Sequence, residues 1–89
     1  MRKEIPTPGD HLRVLRKQRG LTLRAVYDSS LEIAKEFREP AYVVPPSRLH
    51  DIETRTSVPS IHRLYTLARL YKRGPGKILS LYGIPLGRR

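Results

Sequence analysis

The sequence predicts an all-α domain of five helices, and three observations predict it. Apolar residues recur at three- and four-residue spacing in successive segments, which places each set on one helical face. Asp10, Thr22 and Ser60, which suit helix starts, stand before three of those segments. Gly20, Pro40, Gly74-Pro75-Gly76 and Gly83 punctuate the chain between or after them. The chain has 89 residues, one domain's worth, and 38% of them are apolar. A body of this size removes only about two thirds of its unfolded surface from water, so its core is small.

The elements run in order along the chain. Met1 to Gly9 holds Pro6, Pro8 and Gly9, so residues 1–8 are expected to form a flexible basic arm ahead of a domain at 9–84. Asp10 serves as N-cap of a first helix with Leu12 and Leu15 on one side. Gly20 ends it, and basic side chains crowd its last turn, where they suit the helix dipole. Thr22 opens a second helix with the stripe Leu23, Val26, Tyr27, Ser30, Leu31, Ala34, Phe37. Arg24 and Asp28 form an i,i+4 pair on its outer face. Pro40 ends this helix, because the residue before a proline is pushed out of the α region.

Pro40 to Pro46 reads as an extended or polyproline stretch. Pro46 suits the first position of a third helix, which spans Ser47 to Glu53 and turns Leu49 and Ile52 inward. After the loop Arg55-Thr56-Ser57-Val58, Pro59 or Ser60 starts a fourth helix that buries Ile61, Leu64, Leu67, Ala68 and Tyr71. Leu70 lies off that face. Beyond Gly74-Pro75-Gly76 a fifth helix runs from about Lys77 to Tyr82, and residues 85–89 form a frayed basic tail.

Eighteen Lys and Arg face eight Asp and Glu, a formal charge of +10. The excess is segregated. Residues 1–24 sum to +5, residues 25–40 to −2, residues 41–60 to zero, and residues 61–89 hold seven bases and no acid. Thirteen of the eighteen bases are Arg, whose planar fork suits phosphate oxygens and guanine edges. Segregated positive charge of this density points to a polyanion as partner.

Three runs then carry a resemblance. Leu12-Arg13-x-Leu15-Arg16-x-x-x-Gly20-Leu21-Thr22, Arg48-Leu49-x-x-Ile52-Glu53 and Pro59-Ser60-x-x-x-Leu64-x-x-Leu67-Ala68 stand in that order. Together they resemble the lambda-repressor-like (Cro/XRE) helix-turn-helix family over about residues 9–84. The resemblance implies a five-helix helix-turn-helix domain with an insertion between helices 2 and 3, since Gly20 to Glu53 spans about a dozen more residues than a compact member needs. It also implies a structural ion pair between Arg16 and Glu53. Where the family usually carries Gln, two residues after Leu21, this chain has Leu23.

The same resemblance makes the third helix the element that enters the major groove of duplex DNA. Its base-reading positions fall at Pro46, Ser47, His50 and Asp51, with Arg48 alongside. Pro46 has no side-chain hydrogen bond to offer. Arg48 suits guanine or a phosphate, Asp51 suits cytosine N4 as an acceptor, and His50 donates or accepts according to its protonation. Phosphate contacts are expected at helix N-termini and the loop after the third helix: Thr22, Arg24, Arg55, Thr56, Ser57 and Ser60. The implied function is sequence-specific binding of double-stranded DNA by a prokaryotic or phage-type transcriptional regulator. It would act in the cytoplasm, on the nucleoid, as a homodimer on a two-part site.

Two other functions compete. One is an RNA- or ribosome-associated basic protein, against which the chain has neither an RNP aromatic pattern nor a GXXG loop. The other is an antitoxin-like interaction module using the long second helix, whose acids Asp28, Glu32, Glu36 and Glu39 DNA would repel. Catalysis is not expected. There is no cysteine, hence no thiolate nucleophile or thiolate metal site. His11, His50 and His62 lack metal-ligand spacing. Gly74-Pro75-Gly76-Lys77 lacks the spacing of a phosphate loop and is a helix breaker. No cofactor or metal is implied. The longest apolar run, Ala41 to Val44, is far too short to span a membrane.

Overall fold

A computed structural model describes residues 7–55 and 57–83. Among them five α-helices run in chain order: α1 (Pro8–Gln18), α2 (Leu23–Phe37), α3 (Pro46–Thr54), α4 (Ile61–Leu70) and α5 (Pro75–Ser80), with a single 3-10 turn at Pro40–Tyr42. The all-α class and the five helices are as the sequence predicts. The proposed arm beyond Thr7, and the tail at 85–89, lie outside the described residues.

Several boundaries differ, each for a local reason. The first helix starts two residues before Asp10, because Thr7 is the N-cap and Asp10 sits at the third position. The Thr7 hydroxyl accepts from the Asp10 N–H at 3.1 Å, and the Asp10 carboxylate accepts from the Thr7 N–H at 2.9 Å, a reciprocal capping box. Pro8 occupies the first helical position, where its missing N–H costs nothing. The domain therefore includes Pro8. Gly20 has φ +69°, the left-handed conformation that lets the chain leave α1 sharply.

The second helix ends at Phe37 rather than at Pro40, with Arg38 left-handed at φ 54°. The segment after it is not uniformly extended. Pro40–Tyr42 closes one 3-10 turn, whose first N–H, that of Ala41, is bonded by the Glu39 carboxylate at 3.0 Å. Only then does an extended strap lead into α3. The fifth helix likewise starts at Pro75 and ends at Ser80, two residues ahead of expectation at each end.

The core gathers Leu12, Val26, Val44, Leu49, Ile52, Leu64, Leu67, Ala68, Tyr71, Ile78 and Leu79. Seven of these lie within α1–α4 at the helical spacing that marked them as inward, and Tyr71, the C-cap of α4, continues the row. At roughly 1.5–3 kcal/mol per buried aliphatic side chain, such a set offsets the ordering of a small domain. Three expected core positions are instead open: Leu31 (39% exposed), Phe37 (43%) and Ile61 (64%). The buried face of α2 is Val26, Ser30, Ile33 and Ala34. Leu31 stands one residue, about 100°, from Ser30 around the helix and falls outside the footprint of the elements α2 packs on: α3, α4 and the 3-10 turn. Phe37 is at the helix end, where its ring stacks on Tyr42 with centroids 4.9 Å apart. Leu70, off the main face of α4, is half-buried against the core.

Helix α1 packs on α3, with Gly9 against the carbonyls of Ile52 and Glu53. A Cβ there would stand 2.5 Å from the Glu53 carbonyl oxygen and 2.6 Å from that of Ile52. Glycine at this position is what lets the start of α1 rest directly on the end of α3.

Candidate nucleic-acid interface

Helix α3 is fixed at both ends and along one face. Leu49 and Ile52 are fully buried. At its C-terminal end Glu53 receives Arg16: Nε donates to one carboxylate oxygen at 2.7 Å and Nη2 to the other at 3.0 Å, while Nη1 donates to the Leu21 carbonyl at 2.8 Å. Both side chains are at most 9% exposed, so the ion pair is interior and bidentate. The Glu53 carboxylate raises the Arg16 pKa above its ordinary value, outweighing the effect of burial. The buried Tyr71 hydroxyl lies in the same field. Burial first, and then the Glu53 charge, push it well above the usual tyrosine range.

At the N-terminal end the strap Tyr42–Val44 is pinned from two helices. Thr66 of α4 donates its hydroxyl to the Tyr42 carbonyl at 2.8 Å. The Arg63 guanidinium donates Nε–H to the Val43 carbonyl at 2.9 Å. Ser30 of α2 accepts from the Val44 N–H at 2.9 Å while donating to the Tyr27 carbonyl at 2.7 Å. Ser30, Thr66 and Val44 are fully buried. Pro45 and Pro46 then set the extended and first helical residues of α3 with no donor left to satisfy.

The opposite side of α3 is open. Ser47, Arg48 and His50 are exposed, and Arg48 has no ion-pair partner among the described residues. Asp51 is half-buried, with His50 Nδ1 at 3.9 Å and Arg55 Nε at 3.6 Å from its carboxylate. A base donor reaching this carboxylate would compete with these neighbours. Pro46 is half-buried at the helix start.

The residues expected at phosphates divide. Thr22 and Ser60 are the N-caps of α2 and α4; each hydroxyl oxygen accepts one helix N–H and retains its proton to donate. Arg24 reaches Asp28 at 3.2 Å and lies 5.7 Å from the centre of the Tyr27 ring, with its side chain 75% exposed. Arg55 is exposed beside Asp51 and Ser57 is half-buried in the following loop. Thr56 lies outside the described residues. Leu23, where the resemblance would have Gln, is half-buried against the core and braces by packing.

The acids of α2 do not form one free surface. Glu36 takes both terminal nitrogens of Arg69 from α4, at 2.8 and 3.2 Å, and Arg69 in turn holds its carboxyl below the usual range. Glu39 serves the 3-10 turn. Among the described residues no group of three His, Asp or Glu side chains is placed to hold a metal, and no helix is long and apolar enough to cross a membrane.

No protein-family model, curated protein or solved structure matches the chain. The site therefore rests on its own geometry. The positioning residues Gly9, Ser30, Arg63 and Thr66 were not among the candidates drawn from the sequence. The only sequence signal among them was Ser30, a hydroxyl residue standing within the apolar stripe of the second helix.

Proposed function

We propose that the chain binds double-stranded DNA sequence-specifically as a lambda-repressor-like transcriptional regulator, with α3 in the major groove. One observation carries this reading. Helix α3 is held rigidly from behind, by Leu49, Ile52, the Arg16–Glu53 pair and the strap, while Ser47, Arg48 and His50 stand exposed on it. A pre-positioned helix with an open polar face fits a groove about 12 Å wide. The flanking charge supports it: +5 before residue 25 and +7 after residue 60 supply attraction without competing for base choice. Arg48 and His50 read bases, with Ser47 permissive and Asp51 secondary. Thr22, Arg24, Arg55, Thr56, Ser57 and Ser60 meet the backbone. Two copies on a two-part site follow the logic of such domains, and the nucleoid is then the place of action.

Selection of random duplex DNA with the purified protein tests the reading. A two-part enriched motif is expected, with log K falling against log salt at a slope of roughly −4.5 to −6 per subunit if five to seven phosphates are neutralised. Arg48→Ala should cost ~1–3 kcal/mol and relax preference at one position of each half-site. A flat salt dependence, or structured RNA outcompeting duplex at fixed salt, overturns it.

A further inference from the structure

Between α1 and α5 lies a half-open groove of about 260 Å³, on the side of α1 that carries Val14. Its floor is Val14, Leu15 and Leu81, and its lining is overwhelmingly apolar. Val14 is 54% exposed there, an aliphatic side chain on an otherwise basic helix surface. Two cations, Arg73 and Lys77, edge the groove. The Lys77 ammonium has no partner among the described residues, and Arg73 uses only Nη1, toward the carbonyls of Lys72 (3.2 Å) and Tyr71 (3.5 Å). Among the described residues the one acid at the groove is Asp10, whose carboxylate accepts from the Thr7 N–H at 2.9 Å as part of the helix cap.

From this arrangement we infer that the groove is a binding site for an amphipathic monocarboxylate, a single acyl or aryl chain with one anionic head. The apolar floor takes the chain, and Arg73 and Lys77 take the carboxylate. The volume sits just below the usual range of about 300–1,000 Å³ for small-molecule pockets, which suits one chain and excludes a nucleotide-sized cofactor. Charge selects the head group: Arg73 and Lys77 line the groove, and the carboxylate of Asp10 is engaged in the helix cap, so a cationic amphiphile is disfavoured there. This site goes beyond the DNA reading and does not rest on it, because no nucleic acid enters its test.

The test is a titration of the ¹⁵N-labelled full chain with octanoate, with octylammonium and acetate as controls. Octanoate should produce saturable shifts at Val14, Leu15, Lys77 and Leu81, with a dissociation constant on the order of 1 mM for so small a ligand. Octylammonium should bind about fivefold more weakly or worse, the value of a rim charge contact, and acetate should not bind. Lys77→Glu should reverse the preference between the two head groups. Val14→Glu should abolish saturation with the thermal melt unchanged; if that variant melts early, Lys77→Glu alone decides. Equal binding of octylammonium, shifts centred elsewhere, or binding that emerges only after Ile84→Ser with Leu86→Ser overturns the proposal. The last result would make the groove the seat of the chain's own final residues.

Discussion

Arg16 commits its whole guanidinium to structure, two nitrogens to Glu53 and the third to the Leu21 carbonyl. The pair therefore joins α1, the turn after it and the end of α3 at one buried point. Removing one partner of such a pair leaves the other charge in a place water does not reach, which typically costs about 3–5 kcal/mol, against ~1 for a surface pair. Glu53→Ala is accordingly expected to lower the melting temperature by well over about 10 °C, at roughly 4–8 °C per kcal/mol for a domain of this size. Glu36→Ala, which breaks the exposed pair with Arg69, should move it little. Thermal melts of the two variants at neutral pH make the comparison, and a small shift for Glu53→Ala would mean that the pair is superficial. Both pair members were legible in the sequence, although only through the resemblance. Charge alone does not single out Arg16 from twelve other arginines. Gly9 was not legible as a contact, because nothing local reveals that a distant carbonyl occupies the space of its missing Cβ.

At the level of elements, four helix faces could be read from apolar spacing: Leu12, Leu49, Ile52, Leu64 and Leu67 are buried as expected, whereas Ile61 at the start of α4 is exposed. The second helix was read with too wide a stripe. An amphipathic pattern gives the side that faces inward, but the width actually covered depends on which neighbours arrive, and these are non-local. Between α2 and α3 the extended reading holds for Val43 and Pro45 but missed the 3-10 turn at Pro40–Tyr42. Nor do the prolines reveal the anchoring, because Ser30, Arg63 and Thr66 supply its hydrogen bonds from helices fourteen to twenty-four residues away. This anchoring makes a prediction about α3. Ser30→Ala leaves the buried Val44 N–H without its acceptor and Thr66→Val removes the donor to Tyr42, each a loss of about 1–3 kcal/mol. Native-state hydrogen exchange should show the Val44 amide selectively faster in Ser30→Ala than in the parent at matched global stability. Uniform acceleration across all helices would mean that Ser30 is only a core residue and not an anchor of the strap.

For the whole molecule, the buried tyrosines predict how the fold responds to alkali. Tyr71 is fully buried and Tyr82 is half-buried. Neither hydroxyl has a hydrogen-bond partner in the described structure. Burial pushes Tyr82 up to about 12 and Tyr71 further still, against an ordinary value of 10.0. The folded chain thus keeps protons that the unfolded chain releases. Stability from this source is complete below about pH 10, where both states hold the proton, and is lost as pH rises above that toward the folded values. Each pH unit in that window costs about 1.4 kcal/mol per tyrosine still protonated in the fold. Two tyrosines together lose only about 3 kcal/mol by pH 11 and under about 6 kcal/mol by pH 12, against ~5–13 kcal/mol in total for a domain of this size, so stability is expected to be flat from neutrality to about pH 10 and to fall progressively above it. Tyr71→Phe keeps the ring in the core and removes both the orphaned hydroxyl and its proton. It should leave neutral stability equal or higher and make the alkaline fall shallower by one tyrosine's share. Denaturant midpoints measured from about pH 7 to 12 for the two proteins give the answer. Parallel curves would show that lysine and arginine deprotonation, rather than Tyr71, sets the alkaline limit of this fold.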